Sequence, residues 1–276
     1  MKPISEALAQ QGPHERIIRT LFPGAFVREG TEPLFTKPLY LLAFTNRSGS
    51  NLLADYLRQT REFRGFGEGL NWDTVQRSLE QYPADSFPDY VARLAGPLNE
   101  PGRWGIKASW EQIVMLKRAN IFSMFPSVQV IHSVREDLVG QAVSHWIAHQ
   151  TNQWTSAQQG SGVNPDYAGD RIEHILMDAV RSNGFIDLIC RTLDLPRHVV
   201  VYERLQANPA DEISRLGRAL SLDLDGWQPG TPRIARQRNE TNAAFRSKCM
   251  QDWMEAIRDD TVLRARRPDG APGRCD

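Results

Sequence analysis

Arg47, Ser48, Gly49, Ser50 and Asn51 sit between a short apolar run, Leu39 to Phe44, and a stretch with helical spacing that begins near Asn51. A strand, a tight polar turn and a helix start in that order aim several backbone N–H groups at one spot, where the helix dipole adds partial positive charge. An anion, most often a phosphate, is the usual occupant of such a turn. Arg47 can grip a pair of phosphate or sulfonate oxygens with both arms of its guanidinium. The turn has the layout of a phosphate-binding loop but lacks the Gly-Lys-Ser/Thr ending. Phosphoryl transfer would want that lysine and an acidic Mg²⁺ ligand at the end of a neighbouring strand. The next strong strand ends Ile131-His-Ser-Val, with no aspartate, so phosphoryl transfer is disfavoured.

Further groups fall where a parallel sheet presents ligand contacts, beyond the carboxyl ends of its strands. They are Lys107 in Gly-Ile-Lys-Ala-Ser, Arg135 after Val128 to Val134, and the loop expected after Tyr202. Arg135 is placed as a second anion receptor, and Ser144 follows nine residues later in a helix. Glu68 lies in a glycine-rich loop, residues 61 to 70. His145 and His149 share a helical face, but Trp146 stands where a zinc-protease motif needs glutamate, so an amphipathic face near the site accounts for them. Trp72, Trp110, Trp146 and Trp154 read either as stacking platforms or as core, with Trp146 and Trp154 on roughly one face of a helix.

These groups require a frame of alternating strands and helices. Strands are expected at Leu39 to Phe44, Gly105 to Ser109, Val128 to Val134 and His198 to Tyr202. Helices are expected at about residues 51–60, 111–119, 138–153, 170–193 and 211–220, the last after Asn208-Pro209. The alternation predicts one α/β domain with a mostly parallel central sheet flanked by helices. Residues 1–36 read as a helical extension, 37–262 as the domain, and 263–276 as a disordered tail whose charges are solvated.

The 276 residues balance 33 basic against 33 acidic side chains, which argues against a general nucleic-acid surface and leaves room for a local basic pocket. No apolar run is long enough to span a bilayer, and the first residues are too polar for a signal peptide. Cys190, Cys249 and Cys275 have no metal or disulfide spacing, which suits a reducing cytoplasm.

Arg47-Ser-Gly-Ser-Asn-Leu-Leu with Gly67-Glu-Gly, Val134-Arg-Glu-Asp-Leu-Val-Gly-Gln-Ala-Val-Ser-His-Trp, Gln150-Thr-Asn-Gln-Trp, Tyr202-Glu-Arg-Leu and Arg236-Gln237 form an ordered set. Together they resemble sulfotransferases of the bacterial trehalose 2-sulfotransferase type, from about residue 38 to 246. The resemblance implies the donor 3′-phosphoadenosine 5′-phosphosulfate (PAPS) and no metal. Residues 47–51 would hold the 5′-phosphosulfate, and Arg135 with Ser144 the 3′-phosphate. Arg236 would lie near the nucleotide. It places the general base on Glu68, for which a closed, partly desolvated pocket is expected. Lys107 would neutralise charge on the leaving oxygen. The family usually has threonine at Asn51 and an aromatic pair where this chain has Gly69-Leu70, so loop and acceptor contacts are expected to differ. Tyr202 and Glu203 are expected to tie their strand to the loop. Homodimers are frequent in the family and are the implied assembly. The acceptor would be a hydroxyl of a carbohydrate or glycolipid. A non-sugar alcohol or phenol, and a nucleotide-binding role without catalysis, stay open.

Overall fold

The computed structural model describes residues 3–97, 101–154, 160–224, 226–233 and 240–258. The sheet has five strands: β1 (Leu39–Phe44), β2 (Phe63–Gly65), β3 (Arg103–Ala108), β4 (Val128–Val134) and β5 (Arg197–Val201). Their order across the sheet is β2-β3-β1-β4-β5, and every neighbouring pair is parallel. From β1 the chain passes to the outer edge at β2, returns to fill the gap with β3, and then crosses to the other side with β4 and β5. The direction of the connections therefore reverses between β1 and β4. The crevice beyond the carboxyl ends of those two strands is where such sheets bind ligands.

The apolar run of β1 is continuous because both of its faces are covered. Leu39, Leu41 and Ala43 join one buried cluster with Ile106, Ala108, Val128 and Val130. Tyr40 and Leu42 join a second with Ile131 and Val200. Helices α2 (Pro13–Leu21), α5 (Phe87–Ala95), α6 (Trp110–Arg118) and the later part of α8 (Gly169–Thr192) supply the first face. The second is covered by α3 (Ser50–Gln59), α9 (Tyr202–Ala207) and α10 (Pro209–Ala219). The remaining helices are α1 (Ile4–Ala9), α4 (Trp72–Gln81), α7 (Leu138–Thr151) and α11 (Glu240–Arg258), with a single 3₁₀ turn at Ile121–Met124.

The chain groups into two compact units. Residues 1–138 and 177–235 make the first, which contains the whole sheet; residues 139–176 and the part from 236 onward make the second. In the second unit, Ala142, Val143, Ile172 and Cys249 form a small core, and Tyr167 donates its hydroxyl to Asp252 at 2.5 Å. Among the described residues no helix is long and apolar enough to cross a membrane.

Four expected strands are present within about two residues of their predicted limits. The elements absent from the expected set include β2, α9 and α11. The expected strand to Tyr202 stops at Val201, and Tyr202 is already the first residue of α9, so no loop separates them. The helix expected to Gln153 ends at Thr151, because Asn152 turns into the left-handed region at φ 52°. Trp154 therefore lies off α7, and its ring meets His145 at 5.6 Å. Trp110 is core, stacked on Phe185 at 4.4 Å. Cys275, the tail 263–276 and Arg236 with Gln237 lie outside the described residues.

One buried group on the first face carries a pH consequence. His132 of β4 is 1% exposed, with Nε2 at 3.1 Å from Asn183 Oδ1 and Nδ1 at 3.1 Å from the Arg197 guanidinium. Arg197 pairs with Asp187 at 2.5 Å. Because Arg197 can only donate, His132 Nδ1 accepts, Nε2 carries the hydrogen, and the ring is neutral. Burial pushes its pKa from 6.5 down to about 4. Above the unfolded value both states are neutral and the full stability is present. As pH falls from 6.5 toward 4 the unfolded chain takes up a proton that the folded one refuses, which costs up to about 3 kcal/mol. Urea midpoints at pH 7.5 and pH 4.5 are expected to differ by that contribution, and His132→Gln is expected to remove most of the difference. An equal pH dependence in both proteins would refute the assignment.

Candidate active site

The loop between β1 and α3 is built by two left-handed residues, Arg47 at φ 63° and Gly49 at φ 89°. Ser48 N–H donates to Thr45 O at 3.1 Å to close the turn. Gly49 is the N-cap of α3. A Cβ there would come within 2.2 Å of the Tyr202 ring, so both backbone angle and space demand glycine. No side chain caps α3, and its first turn holds no acidic residue. The helix N-terminus thus presents backbone donors and positive dipole to whatever lies beyond it. Ser133, at the end of β4, fastens the loop from below. Its hydroxyl donates to Ser48 O at 3.1 Å, and the two serine hydroxyls are 3.4 Å apart. Pairing of Phe44 with Ser133 across the sheet puts them in reach.

Arg135 leaves β4 beside this loop. Its Nη1 donates to Arg47 O at 3.4 Å, and its guanidinium carbon lies 5.3 Å from the centre of the Tyr202 ring. Asp137 and Glu203 approach it at 3.7 Å. Glu203 also accepts from the backbone N–H groups of Glu136 and Asp137 at 3.0 and 3.3 Å, so the first turn of α9 holds the β4 exit in place. Burial, and next the neighbouring Arg135 charge, hold the Arg47 guanidinium below its ordinary value. Two positive charges thus stand close together beside the loop, Arg47 at the start of α3 and Arg135 at the exit of β4.

Glu68 is carried to the same edge by main-chain clips. Gly65, at φ 83°, ends β2 with a Cβ position only 2.4 Å from Gly105 O. Phe66 N–H then donates to Gly105 O at 2.6 Å, and Lys107 N–H to Gly67 O at 3.1 Å. Beyond Glu68, the Tyr90 hydroxyl donates to Gly69 O at 2.7 Å, and Asn71 N–H to Glu68 O at 3.2 Å. Lys107 pairs with Leu42 in register, and its side chain rises on the α3 side of the sheet. Its ammonium donates to Glu68 Oε1 at 2.6 Å and to Asn51 Oδ1 at 2.7 Å, over the Phe44 ring at 4.4 Å. The lysine that the loop lacks is therefore contributed to its helix by the adjacent strand. Burial pushes the Lys107 ammonium down from its usual value, and the Glu68 carboxylate opposes that.

The first unit thus brings Arg47, Ser48, Gly49, Ser50, Asn51, Glu68, Lys107 and Arg135 to the carboxyl edge of β2, β3, β1 and β4. Ser144 is on α7, in the second unit, and Arg236 is outside the described residues. The closed pocket expected for Glu68 is not found: its side chain is 43% exposed and salt-bridged, while Lys107 at 2% is the desolvated partner. Leu70 lies fully inside the core, and a Cβ on Gly69 would meet Leu94 at 2.9 Å, so this pair presents no apolar ring to an acceptor. Asn51, unexplained by local pattern, is the acceptor for Lys107. Sequence reasoning missed Ser133 and Asn71. For Ser133 the signal was a small hydroxyl ending a strand beside a phosphate-type loop; for Asn71 it was an amide three residues from a candidate base.

A family model described as Stf0 sulphotransferase matches residues 98–260. The trehalose 2-sulfotransferase of Mycobacterium tuberculosis (strain ATCC 35801 / TMC 107 / Erdman) is 31% identical over 42% of this chain. The match spans 58% of that relative's length. Among solved structures, the sulfotransferase domain of the Synechococcus PCC 7002 olefin synthase is 16% identical with a TM-score of 0.48, covering 84% of this chain and 98% of that one. Sulfotransferase STF9 from Mycobacterium avium is 14% identical with a TM-score of 0.45, covering 83% and 70%. The family model covers more than half of the chain, which therefore belongs to the Stf0 sulphotransferase family.

Proposed function

We propose that this protein is a sulfotransferase that moves a sulfuryl group from PAPS to a hydroxyl of a carbohydrate or glycolipid. The observation that carries this reading is the contact of Glu68 with the buried ammonium of Lys107 at 2.6 Å, linked through Asn51 to the start of α3. One group that can take a proton and one that can receive negative charge stand together at a helix N-terminus lined by Arg47.

In this reading the 5′-phosphosulfate lies along the α3 N-terminus, held by the backbone of residues 48–51 and by Arg47. The acceptor hydroxyl attacks sulfur in line. Its O–S bond forms as the bond from sulfur to the bridging phosphate oxygen breaks. Glu68 takes the hydroxyl proton, and Lys107 stabilises the charge that collects on the departing oxygen. The 3′-phosphate is assigned to Arg135. The indole of Trp72, 37% exposed at the start of α4, offers a face for a sugar ring.

The direct test is incubation of the enzyme with PAPS and a panel of saccharides, glycolipids, small alcohols and phenols, read by mass spectrometry as the gain of one sulfuryl group. Sulfated saccharide or glycolipid is expected. Transfer to phenols or alcohols alone would overturn the acceptor class, and no transfer to any of them would overturn the reading. The donor assignment has its own readout. Arg135→Ala is expected to weaken PAPS binding by about 10- to 100-fold, the loss of hydrogen bonds to a charged group. Binding of the 3′-dephosphorylated analogue is expected to change by less than about twofold, since it lacks the group that Arg135 would hold. Equal losses for both would remove Arg135 from the 3′ site.

A further inference from the structure

Asn71 occupies the N-cap of α4, where an asparagine side chain ordinarily accepts from the helix's own first-turn amides. It makes no such bond. Its Nδ2 donates instead to Glu68 Oε2 at 3.1 Å, and its Oδ1 accepts from Gln112 Nε2 at 3.0 Å. Gln112, only 3% exposed, accepts through Oε1 from the Ser109 backbone N–H at 2.9 Å. The polarity of this chain is fixed at both ends, because a backbone N–H can only donate and an ionised carboxylate can only accept. Each amide between them has one workable orientation. Ser109 lies two residues beyond Lys107, whose ammonium holds the other oxygen of Glu68. One carboxylate oxygen is therefore held directly by Lys107, and the other by Asn71, which Gln112 orients from the start of α6.

We propose that Asn71 and Gln112 are positioning residues for proton removal, acting through Glu68. The inference rests on reading Glu68 as the base. The relay favours the ionised carboxylate in one rotamer and leaves a lone pair on each oxygen for the acceptor hydroxyl. The charged and titratable groups facing Glu68 are Lys107 from β3 and His14 from α2. Arg58 of α3 acts in turn on Lys107, and Asp73 of α4 on His14. Asn71 and Gln112 are neutral, so replacing Asn71 by alanine alters hydrogen bonding without altering charge.

Gln112→Glu turns the donor facing Asn71 into an acceptor. Asn71 must then rotate its amide and present oxygen to Glu68. The expected result is a fall of about tenfold in kcat and a rise of at least about one pH unit in the acid limb of kcat/KM, from the lost hydrogen bond together with the added negative charge. The dissociation constant for PAPS is expected to stay within about twofold, because neither amide belongs to the donor cradle. Asn71→Ala leaves the Ser109–Gln112 cap of α6 intact and is expected to behave alike, which covers the case where the buried Gln112→Glu change prevents folding. A second readout needs no turnover: the carboxyl carbon of Glu68, observed by NMR and assigned by its loss in Glu68→Gln. Its titration midpoint is expected to move up by about one unit in Asn71→Ala. Unmoved midpoint and acid limb in both variants, with Glu68→Gln inactive, would overturn the relay and leave the base standing. If Glu68→Gln instead transfers at the parent rate, the base reading fails and the catalytic role of the relay goes with it.

Discussion

Glu68→Gln is expected to lower the rate of sulfuryl transfer by about 10²- to 10⁴-fold, the usual contribution of a positioned general base. Glutamine preserves the length of the side chain and can still accept the Lys107 hydrogen bond, so the loop from Gly65 to Asn71 is expected to keep its clips onto β3. What it cannot do is take a proton. Its charge offsets the desolvation of the buried Lys107 ammonium, so some stability is expected to be lost, but residues 47–51 and Arg135 are left unchanged. PAPS binding measured by calorimetry is therefore expected to match the parent, while single-turnover transfer at saturating acceptor collapses. Undiminished transfer with normal donor binding would remove Glu68 from the reaction. It would leave proton removal to another group, for which His14, whose Nδ1 accepts from Trp72 N–H at 3.1 Å and which feels the Glu68 charge, is a candidate.

Lys107→Met separates stability from activity in the opposite sense to an ordinary core mutation. The ammonium is 2% exposed, and burial pushes its pKa down. Removing it abolishes a desolvation cost that one half-exposed carboxylate only partly offsets. Methionine fills similar volume above Phe44, and the exposed Glu68 can return to water. Thermal stability is expected to hold or rise. Transfer is expected to fall by about 10²- to 10³-fold, because a preorganised charge facing the leaving oxygen is lost. A melting scan paired with a transfer assay checks both at once. A variant that unfolds, or one that transfers normally, would contradict this role for Lys107.

The frame was legible where chemistry is local. The runs of β1 and β4 are continuous because both faces of a central parallel strand are buried, and that composition is visible in the sequence. Asn208-Pro209 announces α10 in the same way: the Asn208 side chain accepts from Asp211 N–H, and proline takes the first helical position. Strand β2 was hidden because three residues carry no period and Gly65 reads as loop; only its pairing with β3 makes it a strand. Helix α9 was hidden because Tyr202 has the residue type of the strand that it terminates.

The candidate site divides along the same line. Residues 47–51 and Arg135 follow strands directly, so their types and positions already imply an anion cradle at the edge of a parallel sheet. The contact of Lys107 with Glu68 and Asn51 joins segments 39 and 56 residues apart in the chain. It exists because Lys107 lies opposite Leu42 in a parallel register and because Gly65 lets the next loop ride on β3. Register and loop closure are long-range properties set by burial of whole faces, and no pattern among the immediate neighbours of these residues encodes them. Asn51 shows the consequence most plainly: an unexplained substitution within the loop becomes, once the sheet is assembled, the residue that receives the lysine the loop lacks.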